Sequence, residues 1–190
     1  ICGSDLSHGA IADELDRRGV AVFYGEQDGS FLQKCHDAGT IDWFVYTSAL
    51  PADHKELALA KELGIHCSKR DEFLAELVRE KNLKMIAVAG THGKTTTTSM
   101  LVWGFEQLGI PVSYLVGTTL PWGNGGKFDP DSEFFIYEAD EYDRNFLAYH
   151  PYIGAITTVD YDHPDIYPTV EDYQNAFARF ESQCEHVVKS

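Results

Sequence analysis

Basic residues are scarce in this chain. Fifteen Lys and Arg stand against thirty Asp and Glu, a formal net charge of -15, and no Lys/Arg run interrupts that balance. Nucleic acid and anionic membrane surfaces both need cationic patches, so the charge argues against either as a partner. Long apolar runs are missing too: no window reaches the roughly 18 uninterrupted apolar residues of a membrane helix. No charged-then-apolar leader precedes a small-residue cleavage site, so the expected location is the cytoplasm. Cys2, Cys35, Cys67 and Cys184 are widely spaced with no C-x-x-C. That fits reduced, mostly buried thiols rather than disulfides or a zinc site. Internal repeats and low-complexity tracts are absent, which removes any hint of a scaffold. What remains is a 190-residue chain, 44% hydrophobic and 13% aromatic, long enough for one large globular domain or two small ones.

Residues 85–98, Met-Ile-Ala-Val-Ala-Gly-Thr-His-Gly-Lys-Thr-Thr-Thr-Thr, organise the rest. An apolar strand over 85–89 runs into Gly90-Thr91-His92-Gly93, a turn able to point N–H groups inward. Lys94, Thr95 and Thr96 then open a helix whose positive end attracts phosphate. Lys94 suits the β and γ phosphates of ATP, and the Thr95 hydroxyl suits Mg²⁺. The loop is shorter than the general G-x-x-x-x-G-K-[ST] form, since Val88 stands where that pattern has its first glycine. A bare turn before a Thr-rich helix is the bland alternative.

The first half alternates strands and helices: a helix from Ser7 with Ala10, Ile11 and Leu15 on its apolar face, a strand over 20–24, and a helix over 31–36. A strand over 43–46, a helix over 52–63, a strand over 65–67 and a helix over 70–80 follow. Such alternation predicts a parallel, Rossmann-like sheet covered on both faces, with ligands beyond the carboxyl ends of the strands. The chain opens inside a strand-like run and reaches an acidic residue at once, so the expectation is that the strand and helix that should precede it lie outside it. Two strand ends, Gly3-Ser4-Asp5 and Thr47-Ser48-Ala49, fit ordinary turns and caps on pattern alone.

A polar hinge over 80–84 sets the expected domain boundary near Leu83, dividing 1–83 from 84–190. The fold class is therefore α/β, with two consecutive Rossmann-like/P-loop parallel-sheet domains, the second incomplete. Beyond the loop come a helix over 94–108, with Met100, Leu101, Trp103 and Phe105 as its buried surface, and a strand over 112–116. A glycine-rich loop spans 121–131. The strand over 134–137 then delivers Glu138-Ala139-Asp140-Glu141-Tyr142-Asp143. Four carboxylates so close together read as a solvated acidic turn or as the Mg²⁺-holding end of an NTPase strand. A strand over 152–159 ends in Asp160-Tyr161-Asp162-His163-Pro164-Asp165, where His163 is either a structural histidine or a metal or phosphate contact. A last helix over 170–185 puts Tyr173, Phe177 and Phe180 on one face.

Gly-Thr-His-Gly-Lys-Thr-Thr-Thr, Glu-Ala-Asp-Glu-Tyr-Asp and Asp-His-Pro-Asp-Ile-Tyr together resemble the signatures of the Mur ligases, the ATP-dependent amide-forming enzymes of peptidoglycan synthesis. The resemblance implies that Gly90, Thr91, His92, Gly93, Lys94, Thr95 and Thr96 bind ATP, that Thr95, Glu138 and His163 hold two metal ions, and that Lys94, Glu138 and His163 serve catalysis. It further implies that Ser4, Asp5, Thr47 and Ser48 face the uridine diphosphate of a muramate substrate. Arg144-Asn145-Phe146-Leu147 followed by His150-Pro151 resembles the branch that joins L-alanine to UDP-N-acetylmuramate through an acyl phosphate. The tripeptide-adding branch, a generic P-loop NTPase and a non-catalytic UDP-sugar-binding module are the alternatives. Pro164 departs from the Leu, Met or Ala usual after that histidine. The family's C-terminal amino-acid-binding domain has no counterpart in this sequence, so the 190 residues alone are expected to be inactive.

Overall fold

The computed structural model describes residues 1–189, with the backbone alone at residues 10 and 11. The apolar side chains expected at Ala10 and Ile11 therefore lie outside the described residues. Contacts divide the chain into two compact units, Ile1–Arg70 and Asp71–Ser190.

In the first unit, β1 (Cys2–Asp5), α1 (Ala10–Arg17), β2 (Ala21–Tyr24), α2 (Ser30–Asp37), β3 (Trp43–Tyr46), α3 (Lys55–Glu62) and β4 (His66–Lys69) follow the expected alternation. The expected single sheet is instead two parallel pairs, β1 with β2 and β3 with β4. Each pair is short, and only Ser68 among these strand residues is buried. Strands this short hide little apolar surface, so the core sits on the helices, at Leu32, Leu57 and Ala60. Gly29, at φ 94°, lets α2 close on α3: a β-carbon there would lie 2.8 Å from Leu59 Cδ2.

The second unit begins with α4 (Arg70–Glu80), followed by β5 (Lys84–Ala89), α5 (Lys94–Gln107), β6 (Val112–Leu115), β7 (Gly126–Lys127) and β8 (Phe134–Glu138). A 3₁₀ segment (Tyr142–Ala148), β9 (Ile153–Ile156), α6 (Val170–Gln183) and β10 (His186–Lys189) complete it. The sheet runs β10-β9-β5-β8-β6-β7, parallel except where β7 joins β6. Strand β5 lies between β9 and β8, and all its residues but Lys84 are buried.

Alternation along the strands builds two cores. Met85, Ala87, Ala89, Phe135 and Tyr137 face α4 and α6, while Ile86 and Ile136 face α5. Helix α6 meets the first core with Tyr173, Ala176, Phe177 and Phe180, an i, i+3, i+4, i+7 stripe, and is capped where Thr169 Oγ1 accepts from Asp172 N.

Several expectations change. The division of contacts precedes the boundary expected near Leu83, because Leu74 and Val78 of α4 join the second unit's core. Asp71 Oδ1 also accepts from the Tyr137 and Tyr149 hydroxyls at 2.7 and 2.8 Å. On α5, Met100 and Trp103 are 67% and 52% exposed, and Thr98 and Val102 are the buried pair. Thr98 tolerates burial because its hydroxyl donates to Lys94 O one turn back. Strands β7 and β10 went unread: one is two residues within a glycine-rich loop, the other four exposed residues at a sheet edge. The cysteines are free and half-buried rather than fully buried.

Candidate active site

Strand β5 ends at Ala89, and Gly90 turns the chain at φ 137°. No other residue fits there, since a β-carbon would lie 2.2 Å from Thr157 Oγ1 and 2.9 Å from Thr158 N. Adjacent strand β9 continues into a cradle for the loop. Thr157 Oγ1 donates to His92 O (2.6 Å), His92 N donates to Thr158 Oγ1 (3.0 Å), and Thr91 N donates to Thr158 O (2.9 Å). Thr91 Oγ1 donates to Asp160 O (2.7 Å) and accepts from Asp160 N (2.9 Å). That leaves the Tyr173 hydroxyl, 2.8 Å away, as a second donor to it. Burial pushes the Tyr173 phenol up to about 12. Gly93, at φ 81°, precedes α5 and has no side chain to cap it, which suits a helix start that would receive an anion.

Two side chains at the start of α5 each meet a carboxylate. Thr95 Oγ1 donates to Glu138 Oε1 at 2.7 Å, and Gly117 N donates to Glu138 Oε2 at 2.8 Å. Strand pairing explains the meeting, because Glu138 is in register with Val88 at the carboxyl end of the sheet. The neighbouring Lys94 Nζ donates to Gly90 O (2.7 Å) and Glu141 Oε1 (2.9 Å), and lies 2.7 Å from Glu141 Oε2. Glu141 is 1% exposed. Its backbone carbonyl accepts from Tyr167 Oη and from Arg144 N, which pins the backbone that carries the carboxylate. Burial pushes the Tyr167 phenol up as well.

The ring of His163 packs edge-on against Tyr142, and its Nε2 lies 3.6 Å from Glu141 Oε1. His163 adopts φ 55°, a left-handed conformation rare for a non-glycine residue, immediately before Pro164. The structure thus joins Thr95 to Glu138 and gathers Lys94 and His163 about Glu141. Sequence reasoning passed over Glu141, whose one signal was its place three residues after Glu138, and the Thr157–Thr158 cradle, which had none.

A hydroxyl beside a carboxylate suits a hard cation, so Thr95 and Glu138 fit Mg²⁺. Among the described residues no three His, Cys, Asp or Glu side chains form a preformed metal cage. Mg²⁺ needs none where substrate phosphates and water complete its shell. Thr96 and His92 are exposed at the loop.

In the first unit, Ser4 Oγ donates to buried Glu56 and accepts from Gln27, and Asp5 Oδ1 accepts from Ser7 N. Thr47 Oγ1 accepts from Ala49 N, with Ser48 between them. Ser4 and Asp5 belong to or end one strand pair, and Thr47 and Ser48 follow the other.

The Mur ligase middle domain matches residues 88–188, more than half of the chain, and the Mur ligase family catalytic domain matches residues 1–82. The chain belongs to the Mur ligase family. Among curated Mur ligases, the UDP-N-acetylmuramate–L-alanine ligase of Clostridium botulinum strain Hall is 39% identical over 180 residues. That of Chlorobium phaeovibrioides is 38% identical over 181. Each match covers 95% of this chain, which spans 38% and 37% of those relatives. The UDP-N-acetylmuramate:L-alanyl-γ-D-glutamyl-meso-diaminopimelate ligase of Neisseria meningitides aligns with 100% of the chain and 63% of its own, with TM-score 0.86 and 27% identity. The UDP-N-acetylmuramate-alanine ligase of Thermotoga maritima has the same fold, with TM-score 0.83, 21% identity, and coverage of 99% and 42%. No helix among the described residues is long and apolar enough to cross a membrane.

Proposed function

We propose that this chain carries the nucleotide-binding centre and part of the muramate-binding unit of an ATP-dependent ligase that joins L-alanine to UDP-N-acetylmuramate in the cytoplasm. One observation carries the reading: the first two residues of α5, Lys94 and Thr95, each meet a carboxylate brought by β8 or the turn after it, within a family-matched P-loop sheet. The two curated relatives described above favour L-alanine as the added group.

The reaction class needs a carboxylate made electrophilic by phosphorylation and then attacked by an amine. The loop amides and Lys94 bind and orient the triphosphate, stabilising charge that builds on the transferring group. Thr95 and Glu138 would hold Mg²⁺, which would supply charge neutralisation at this end of the sheet. His163 contributes an imidazole on the same side of the sheet, as a second metal ligand. Ser4, Asp5, Thr47 and Ser48 contact the uridine diphosphate. No covalent enzyme intermediate is required.

The test is calorimetric titration of the full-length protein with an ATP analogue and Mg²⁺, then with UDP-N-acetylmuramate, in wild type and Lys94→Ala. Nucleotide binding is expected to vanish in the variant while muramate binding persists, and amide formation to favour L-alanine over the tripeptide. Unchanged nucleotide binding in Lys94→Ala, or no muramate binding in wild type, sinks the reading.

A further inference from the structure

The geometry points to Glu141 as a positioning residue that holds the phosphate-binding lysine in reserve, exchanging Lys94 with the triphosphate when nucleotide binds. This inference rests on the proposed nucleotide site. Lys94 is an ammonium with three N–H groups. Two of them already serve the protein, donating to Gly90 O at 2.7 Å and to Glu141 Oε1 at 2.9 Å, with Glu141 Oε2 in ion contact at 2.7 Å. The ammonium is therefore turned onto its own loop and a buried carboxylate. A polyanion entering the same cradle meets both the lysine it needs and a negative charge that repels it. Lys94 cannot serve the phosphates fully without loosening its hold on Glu141.

Glu141 is built for that exchange. It is 1% exposed, so its charge is poorly screened, and its backbone carbonyl is pinned by Tyr167 Oη and Arg144 N. The guanidinium of Arg144 lies over the Tyr167 ring at 4.8 Å, bracing the same turn. Among the described residues Oε2 makes no hydrogen bond beyond its 2.7 Å ion contact with Lys94. His163 Nε2 stands 3.6 Å from Oε1, the oxygen to which Lys94 donates, outside hydrogen-bond range. The handover moves one cation towards phosphate and leaves the carboxylate beside His163. Glu141 thereby aligns both Lys94 and His163 without touching the reacting atoms.

The test measures affinity for a non-hydrolysable ATP analogue in the full-length enzyme at saturating Mg²⁺, alongside kcat and KM for ATP. Glu141→Gln keeps the shape and removes the competing charge. It is expected to bind nucleotide several-fold more tightly than wild type while kcat falls, so that KM and kcat drop together. A residue with a merely structural role would weaken binding or leave it unchanged, and either result in a folded Glu141→Gln protein overturns the inference. Should that variant fail to fold, Glu141→Asp decides. Its carboxylate sits one methylene farther from Lys94, so a smaller tightening is expected, and none overturns the proposal. Failure of the wild type to bind nucleotide would remove the site itself. Wild-type binding abolished by Lys94→Ala but not tightened by Glu141→Gln would remove only the handover.

Discussion

The loop and acidic turns after β5 and β8 carry the same kinds of residue as the strand ends of the first unit, hydroxyls and acids after short strands, yet the two regions are built differently. Strand β5 is flanked on both sides, buried along nearly its whole length, and followed by a loop bonded to the continuation of β9. The strands bearing Ser4 and preceding Thr47 are each paired on one side among the described residues, and Asp5 and Thr47 bond within their own turns. Burial at the sheet centre is what holds the glycine-framed loop in one shape, because Thr91 and His92 find fixed partners there in Thr157, Thr158 and Asp160.

Lys94→Ala is the harshest way to test that contrast. It removes the phosphate contact and leaves Glu141 buried without its cation, so ligase activity of the full-length protein should fall about a thousandfold and stability by about 3 kcal/mol or more. Turnover assays and denaturant melts measure the two losses. Gly90→Ala comes next: its methyl group collides with Thr157 and Thr158 at φ 137°, costing about 1–3 kcal/mol. Nucleotide titration should show the cradle lost even where the fold survives.

Thr91→Val strips the loop of its bonds to Asp160 and Tyr173 and should lower the denaturant midpoint by an amount equivalent to about 1–3 kcal/mol. A milder probe is pH. Tyr173 in the folded state keeps a proton that the unfolded chain releases above its ordinary 10.0, so its stabilising effect is intact below pH 10 and declines as pH rises through about 12. Thermal melts across that window should show the decline, and Tyr173→Phe should make it shallower, the part that remains belonging to Tyr24, Tyr149 and Tyr167, whose phenols are raised too. Ser4→Ala should cost least, about 1 kcal/mol, through the lost bond to Glu56. If it instead destabilised more than Thr91→Val, the contrast between the two regions would be wrong.

The loop itself was legible because Gly90, Gly93, Lys94 and Thr95 are contiguous, and their backbone demands are local. Helix α6 was legible for a similar reason: its aromatic stripe repeats at helical spacing. The face of α5 was misread because Met100 and Trp103 are apolar and Thr98 is not, whereas burial follows which side of the helix meets the sheet. Glu141 was unremarkable in an acidic run until folding brought it against a lysine 47 residues away.

Sequence alone therefore determined the α/β alternation, the glycine-framed turn between β5 and α5 and the family signatures, all of which depend on neighbours along the chain. Only the tertiary structure decided that Thr95 meets Glu138, that Glu141 rather than Glu138 holds Lys94 and approaches His163, and that α4 packs with the second unit. Those pairings arise from the order in which parallel strands lie side by side. Strand order is a long-range choice made by burying shared faces, and no local pattern of residues encodes it.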